Sequence, residues 1–137
     1  RQTSRLTAKR AYSRVMDAIR PAALAERLAA NEDVFVLDLR PESEFEAYHI
    51  EGSFNAPVYH DLEADGEALE PFLDDIPSDS LIVTVCRIGS CARDATSALE
   101  DRGFESVVLK GGIRNWRGFD EDTLPYRVKS FLRGILS

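Results

Sequence analysis

Three short apolar runs constrain this chain more than any other feature: VFVLDL (34–39), LIVTVC (81–86) and SVVLKGG (106–112). The first two are rich in β-branched residues and too short for a buried helix, and the third is closed by two glycines. Continuous apolarity over so few residues predicts strands covered on both faces, as in parallel sheets. Parallel strands need crossovers, and the segments between the runs supply them. Pro21 suits the first turn of a helix continuing as AALAERLAAN to Asn31. Pro41 opens a short helix, PESEFEAYH, with Phe45 and Tyr48 able to share a face, and EGSFNAP (51–57) reads as a turn and a brief extended piece. EALEPFLDDI (67–76) is weakly helical, RIGSCARDATSALEDRGF reads as a glycine-containing loop and a helix stopped by Gly103, and IRNW begins another helix. The alternation predicts an α/β architecture: a central, mainly parallel sheet flanked by helices. Ligands of such sheets bind beyond the carboxyl ends of the strands, where strand order switches. That directs attention to the residues after Leu39, Val85 and Leu109.

A length of 137 residues fits one domain, and 44% hydrophobic residues argue against disorder. No stretch approaches the roughly 20 apolar residues of a membrane span, and none resembles a secretory signal. Two cysteines are too few for a disulfide-built scaffold, so a cytoplasmic domain is the expectation. Two His and two Cys lack zinc-ligand spacing, and neither metal nor organic cofactor is expected. The net charge of −7 is unevenly spread: +5 over residues 1–20, −15 over 21–125 and +3 over 126–137. The acidic body should repel nucleic acid. Residues 1–20 read as a basic amphipathic helix with Tyr12, Val15, Met16 and Ile19 on one stripe. Residues 120–137 read as a helical extension with Val128, Phe131, Leu132, Ile135 and Leu136. These stripes most simply pack onto the domain; dimerisation, docking of a partner and contact with anionic lipid are the alternatives, and the oligomeric state stays open.

The chemistry concentrates after the second run, in VTVCRIGSCARDATSAL. Cys86 stands where a buried strand ends, and a tight loop leads from it into a helix. Loop amides from Arg87 through Ile88, Gly89, Ser90 and Cys91 can turn inward around the sulfur, and the helix N-terminus adds partial positive charge. Gly89 permits backbone geometry that a Cβ would resist. Arg87 and Arg93 add positive charge. A free thiol of pKa ~8.5 is only about 3% ionised at pH 7, and such surroundings lower that pKa by several units. The expectation is a thiolate nucleophile facing an anion pocket, against the alternative of a buried structural cysteine.

Here the chain resembles the rhodanese family, over roughly residues 21–119. LDLRPESEFEAYHIEGSFNAP (37–57) is similar to the family's first signature, CRIGSC (86–91) to its active-site loop, and GFESVVLKGGIRNW (103–116) to its closing signature. The resemblance implies a rhodanese-like domain between the two terminal helices. It also implies a sulfurtransferase in which Cys86 takes the outer sulfur of thiosulfate or a persulfide, and a protein or small thiol then removes it. It implies that Asp38 and Arg40 buttress the site, with Arg40 alternatively pairing with Glu44 at i,i+4. His49 looks structural and Trp116 looks like a core anchor. Arg87 is expected to bind the donor anion. Cys91 departs from the Arg or Thr common at its position, and two readings stand for it: a resolving thiol, or a small residue filling the first helical turn. Phosphatases of this fold carry a seventh loop residue, and their Cys-x5-Arg signature would need Arg at position 92, which is Ala92. A non-catalytic binding module is the other alternative. The acidic body must repel an anionic donor, so raising ionic strength from a low level should speed reaction with thiosulfate. Initial rates across a salt series check this, and a rate that falls with salt would refute it.

Overall fold

The computed structural model describes residues 18–63, 65–89 and 91–121. Its elements run β1 (Ala18–Ile19), α1 (Pro21–Ala29), β2 (Val34–Asp38), α2 (Glu42–Ala47), β3 (Phe54–Asn55), a 3₁₀ segment (Glu67–Asp75), β4 (Leu81–Val85), α3 (Ala92–Asp101), β5 (Glu105–Leu109) and α4 (Gly112–Asp120). The five strands form one sheet in the order β1-β5-β4-β2-β3, and every neighbouring pair is parallel. The three apolar runs are β2, β4 and β5, its three central strands. Pro71 inside residues 67–75 denies an α-helix one of its donors, and the segment winds as a 3₁₀ helix instead.

Two departures from the sequence expectation concern the ends. Ala18 and Ile19 are not helical: they pair with Val108 and Leu109 at the edge of the sheet, and Lys110 N–H donates to the Ile19 carbonyl at 2.8 Å. Pro21 disfavours helical geometry at the residue before it, and Arg20 is extended (φ −80°, ψ 154°). The outer edge of β5 also gains a partner for its backbone groups. The rest of the basic N-terminal segment and the apolar stripe of 124–136 lie outside the described residues. At the other end, α4 runs on to Asp120, one residue past the expected domain boundary.

Side-chain alternation along the strands divides the core between two faces. Leu37, Leu39, Ile82, Cys86 and Val108 face one way, against Ala92, Ala95, Ala98 and Leu99 of α3. Val36, Val83, Val85, Val107 and Leu109 face the other, against Leu24 of α1 and Ile113 and Trp116 of α4. Trp116 is thus a core residue, as expected. Strand order switches between β4 and β2, whose registers match from Val34–Leu81 to Asp38–Val85. Cys86 follows one of these strands, and the Asp38–Arg40 segment ends the other.

A buried polar chain fixes α3 beneath that switch. Thr84 and Thr96 hydroxyls lie 2.8 Å apart, Thr96 and Ser106 hydroxyls 3.1 Å apart, and Thr84 also reaches the Ala92 carbonyl at 3.3 Å. Thr96 links β4 to β5 through α3. Replacing it by the near-isosteric valine (T96V) should cost about 1–3 kcal/mol, because two buried hydroxyls lose a partner. Urea denaturation should show a lower midpoint with an unchanged slope.

Candidate active site

All five residues of β4 are buried, and strand period places Cys86 on the same face as Ile82 and Thr84, 1% exposed. The chain must then pass from strand to helix within a few residues. Gly89, at φ +100°, makes the turn, and its N–H donates to Cys86 Sγ at 3.0 Å. Amides of Cys91 and Ala92, at the start of α3, also donate to that sulfur, and so does the Cys91 thiol. These donors outweigh burial. The Cys91 hydrogen bond contributes most, followed among the donors by the Ala92, Gly89 and Cys91 amides, and the Cys86 pKa falls from the ordinary 9.0 to about 6. Cys86 is therefore a thiolate for roughly nine-tenths of the time at pH 7. Cys91 shifts upward: it is the donor to Cys86, and burial and the neighbouring negative charge add to that effect.

Amides can point at the sulfur only if the carbonyls of the same loop find partners elsewhere. They find them on α4. Ile113 N–H donates to the Cys86 carbonyl at 2.8 Å, and Arg114 N–H donates to the Arg87 carbonyl at 3.2 Å. This contact requires Gly112, which sits at φ +65°; a Cβ there would lie 2.6 Å from the Cys86 and Arg87 carbonyl oxygens. Sequence reasoning took Gly111-Gly112 as the end of a strand and as part of the closing signature, with no role at the sulfur. The available signal was a glycine pair between strand and helix, on the carboxyl side of the strand next to β4.

Asp38 and Arg40 meet as a buried pair, 1% and 4% exposed. The Asp38 carboxylate accepts from Arg40 Nη2 at 2.8 Å, from Nε at 3.0 Å and from the Arg40 backbone N–H at 3.0 Å. Arg40 Nη2 also donates to the Tyr48 carbonyl at 2.6 Å, and Asn55 Nδ2 donates to the carbonyls of Asp38 and Arg40. The β2–α2 turn is thereby rigid. Arg40 does not pair with Glu44, because Asp38 satisfies its guanidinium from within the turn. Glu44 instead receives Arg87, whose Nε lies 2.9 Å from Oε1, with Nη2 on Oε2. Arg87 holds the Glu44 carboxyl below its ordinary pKa. The Arg87 guanidinium also lies 4.4 Å from the Tyr59 ring centroid. Its charge is thus engaged by a carboxylate, where the sequence expectation has it bind the donor anion.

The remaining predicted residues separate. Ile88 is 56% exposed on the loop's outer side. Ser90 lies outside the described residues. Arg93 is exposed and lines a cleft of about 490 Å³ with Ile88, Gly89, Thr96 and Lys110. It is not among the main influences on the sulfur. His49 donates from Nδ1 to the Phe45 carbonyl at 2.7 Å and stacks on the Phe45 ring, a structural arrangement. Among the described residues, no three His, Cys, Asp or Glu side chains converge as metal ligands, and no helix is long and apolar enough to cross a membrane.

Comparison with known proteins agrees with this geometry. The family model for the rhodanese-like domain matches residues 20–118, and the chain belongs to that family. It is 36% identical over 103 residues to the HTH-type transcriptional regulator Rv0324 of Mycobacterium tuberculosis, covering 74% of this chain and 42% of that one. It is 31% identical over 97 residues to the adenylyltransferase and sulfurtransferase UBA4 of Meyerozyma guilliermondii, covering 70% of this chain and 23% of the relative. The chain thus spans less than half the length of either. A rhodanese-related protein from Thermoplasma volcanium has a similar fold, with a TM-score of 0.60 at 25% identity over 72% of this chain and 88% of that one. The second of these relatives carries a sulfurtransferase name and the first that of a transcriptional regulator.

The α4 contact generates a test. Gly112→Ala should force the loop away from α4 and misalign the inward amides. The Cys86 titration midpoint, followed by thiolate ultraviolet absorbance, should then rise from about 6 towards the ~8.5 of a free thiol.

Proposed function

We propose that the chain is a rhodanese-type sulfurtransferase acting through a persulfide on Cys86. The observation that carries this reading is the buried thiolate ringed by the Gly89, Cys91 and Ala92 amides. In the first half-reaction the Cys86 thiolate attacks the outer sulfur of thiosulfate, the donor's S–S bond breaks, and sulfite leaves with the electron pair. With a persulfide donor, a thiolate leaves instead. The product, Cys86–S–S⁻, carries its charge on the terminal atom, and the loop amides hold that charge without reorganising. In the second half-reaction a thiophilic acceptor, cyanide in an assay or a thiol in the cell, takes the terminal sulfur and returns the thiolate. No step needs a metal or organic cofactor.

Electrostatics favour a small anionic donor. Glu44 neutralises Arg87, so attraction comes from backbone dipoles at short range more than from a free cation. The short loop and Ala92 support sulfur transfer over phosphate chemistry. A protein can serve as donor or acceptor, since Ile88 and Arg87 present the loop outward. We assign the activity to the cytoplasm, where two such thiols stay reduced.

Thiosulfate should release sulfite as one sulfur atom loads onto Cys86, seen in the intact mass at early times, and cyanide added at that point should remove it as thiocyanate. In C86S both signals should fall to background. Wild-type protein that neither releases sulfite nor takes up sulfur would refute the proposal in favour of a binding module, and turnover of an aryl phosphate would favour a phosphatase. The reactive species is the charged form, which exists above the pKa. Loading should therefore rise with pH through a midpoint of about 6 and level off above it, as measured by single-turnover sulfite release.

A further inference from the structure

The second cysteine of the loop is not merely a small residue in a helical turn. Cys86 and Cys91 are both free thiols, and they are the only cysteines in the sequence. Cys91 stands immediately before α3, half-buried, and packs against the core cluster that holds Cys86. Two free thiols packed into one cluster at the two ends of a tight loop are placed for the approach that disulfide exchange needs. We propose that Cys91 resolves the Cys86 persulfide, so that the chain reduces sulfane sulfur to hydrosulfide and closes a Cys86–Cys91 disulfide. This inference rests on the persulfide reading above and gives the bound sulfur a second exit.

The order of events follows from where charge resides. Before loading, the Cys86 thiolate keeps Cys91 protonated. Loading moves the negative charge from Sγ to the terminal sulfur, and Sγ becomes the electrophilic atom of the pair. Cys91 passes its proton to the terminal sulfur and attacks Cys86 Sγ. The Sγ–S bond breaks, hydrosulfide leaves with that electron pair, and the Cys86–Cys91 bond forms. Written whole, Cys86–S–S⁻ and Cys91–SH give the disulfide and HS⁻. The sulfane sulfur gains two electrons, which the two cysteine sulfurs lose in forming their bond. Attack on the terminal atom is disfavoured, because that atom carries the charge. A dithiol reductant, small or protein, must then reopen the disulfide for another turnover. Summed over a cycle, thiosulfate and a dithiol yield sulfite, hydrosulfide and an oxidised dithiol.

The test uses pre-reduced full chain, freed of added thiol, with thiosulfate as donor. Sulfite reports loading, hydrosulfide reports resolution, and intact mass reports the state of the cysteines. Wild type should release sulfite and hydrosulfide in equal amounts, one of each per chain. It should finish as a monomer lacking two hydrogens, with a peptide linking Cys86 to Cys91. Cys91→Ser keeps a hydroxyl donor beside the thiolate but cannot form the disulfide. Read at completion, it should retain the extra sulfur and release hydrosulfide only at the buffer background. Wild type that releases sulfite yet keeps the sulfur on Cys86 would overturn the resolving role while leaving the transferase reading intact. Hydrosulfide released equally by C91S would overturn it too. Absence of both sulfite and bound sulfur, with thiosulfate and with a low-molecular-weight persulfide, would overturn the transferase reading and this inference together.

Discussion

A peptide unit has two ends, and this site depends on where the second one goes. For amides to surround the Cys86 sulfur, carbonyls of the same loop must face away from it, into protein. Left unpaired there, each would cost about 1–3 kcal/mol, comparable to what the inward hydrogen bonds contribute. The first turn of α4 removes that cost, because its own N–H groups have no partner within the helix. Two sets of unsatisfied backbone groups, the carbonyls of one loop and the amides of one helix start, cancel across Gly112. The inward set of the amides around the thiolate follows from that cancellation.

Charge is used sparingly around the sulfur. The ion pairs nearest the loop are internally balanced: Asp38 with Arg40 beneath the β2–α2 turn, and Glu44 with Arg87 beside it. The Asp38–Arg40 pair is nearly dry, and its carboxylate and guanidinium find further backbone partners, so neither end is left with an exposed obligation. The sulfur consequently meets oriented dipoles and a neutral thiol. That environment suits a polarisable monoanion whose charge shifts by one atom during the reaction.

Much of this was legible in the chain itself. The three apolar runs predicted the central strands, and the position of Cys86 at the end of one, before a glycine loop and a helix, predicted a thiolate at the switch point. Local patterns carried those expectations, and the structure keeps the strands and the place of Cys86 at the switch point. Spacing left other pairings open, and partners both near and far in sequence decide them. Arg40 has an acid four residues on and another two residues back, and spacing alone does not say that the buried one wins. Arg87 finds Glu44 across 43 positions. Gly112 matters for a backbone it touches 25 residues upstream, and nothing within its own segment announces that. Ile19 fits a helical stripe, yet the proline two residues on and the vacant edge of β5 decide against it.

That two-residue edge strand has a mechanical corollary. Ala18 and Ile19 pair with the last two residues of β5, and the next backbone amide, Lys110, is tied to Ile19 as well. Immediately beyond Lys110 lies the glycine pair on which the cysteine loop rests. The Ala18–Ile19 edge is therefore joined through a few hydrogen bonds to the support of the cysteine loop. Any displacement of that edge would act on β5 next to the glycine pair, and so on the cradle of the sulfur.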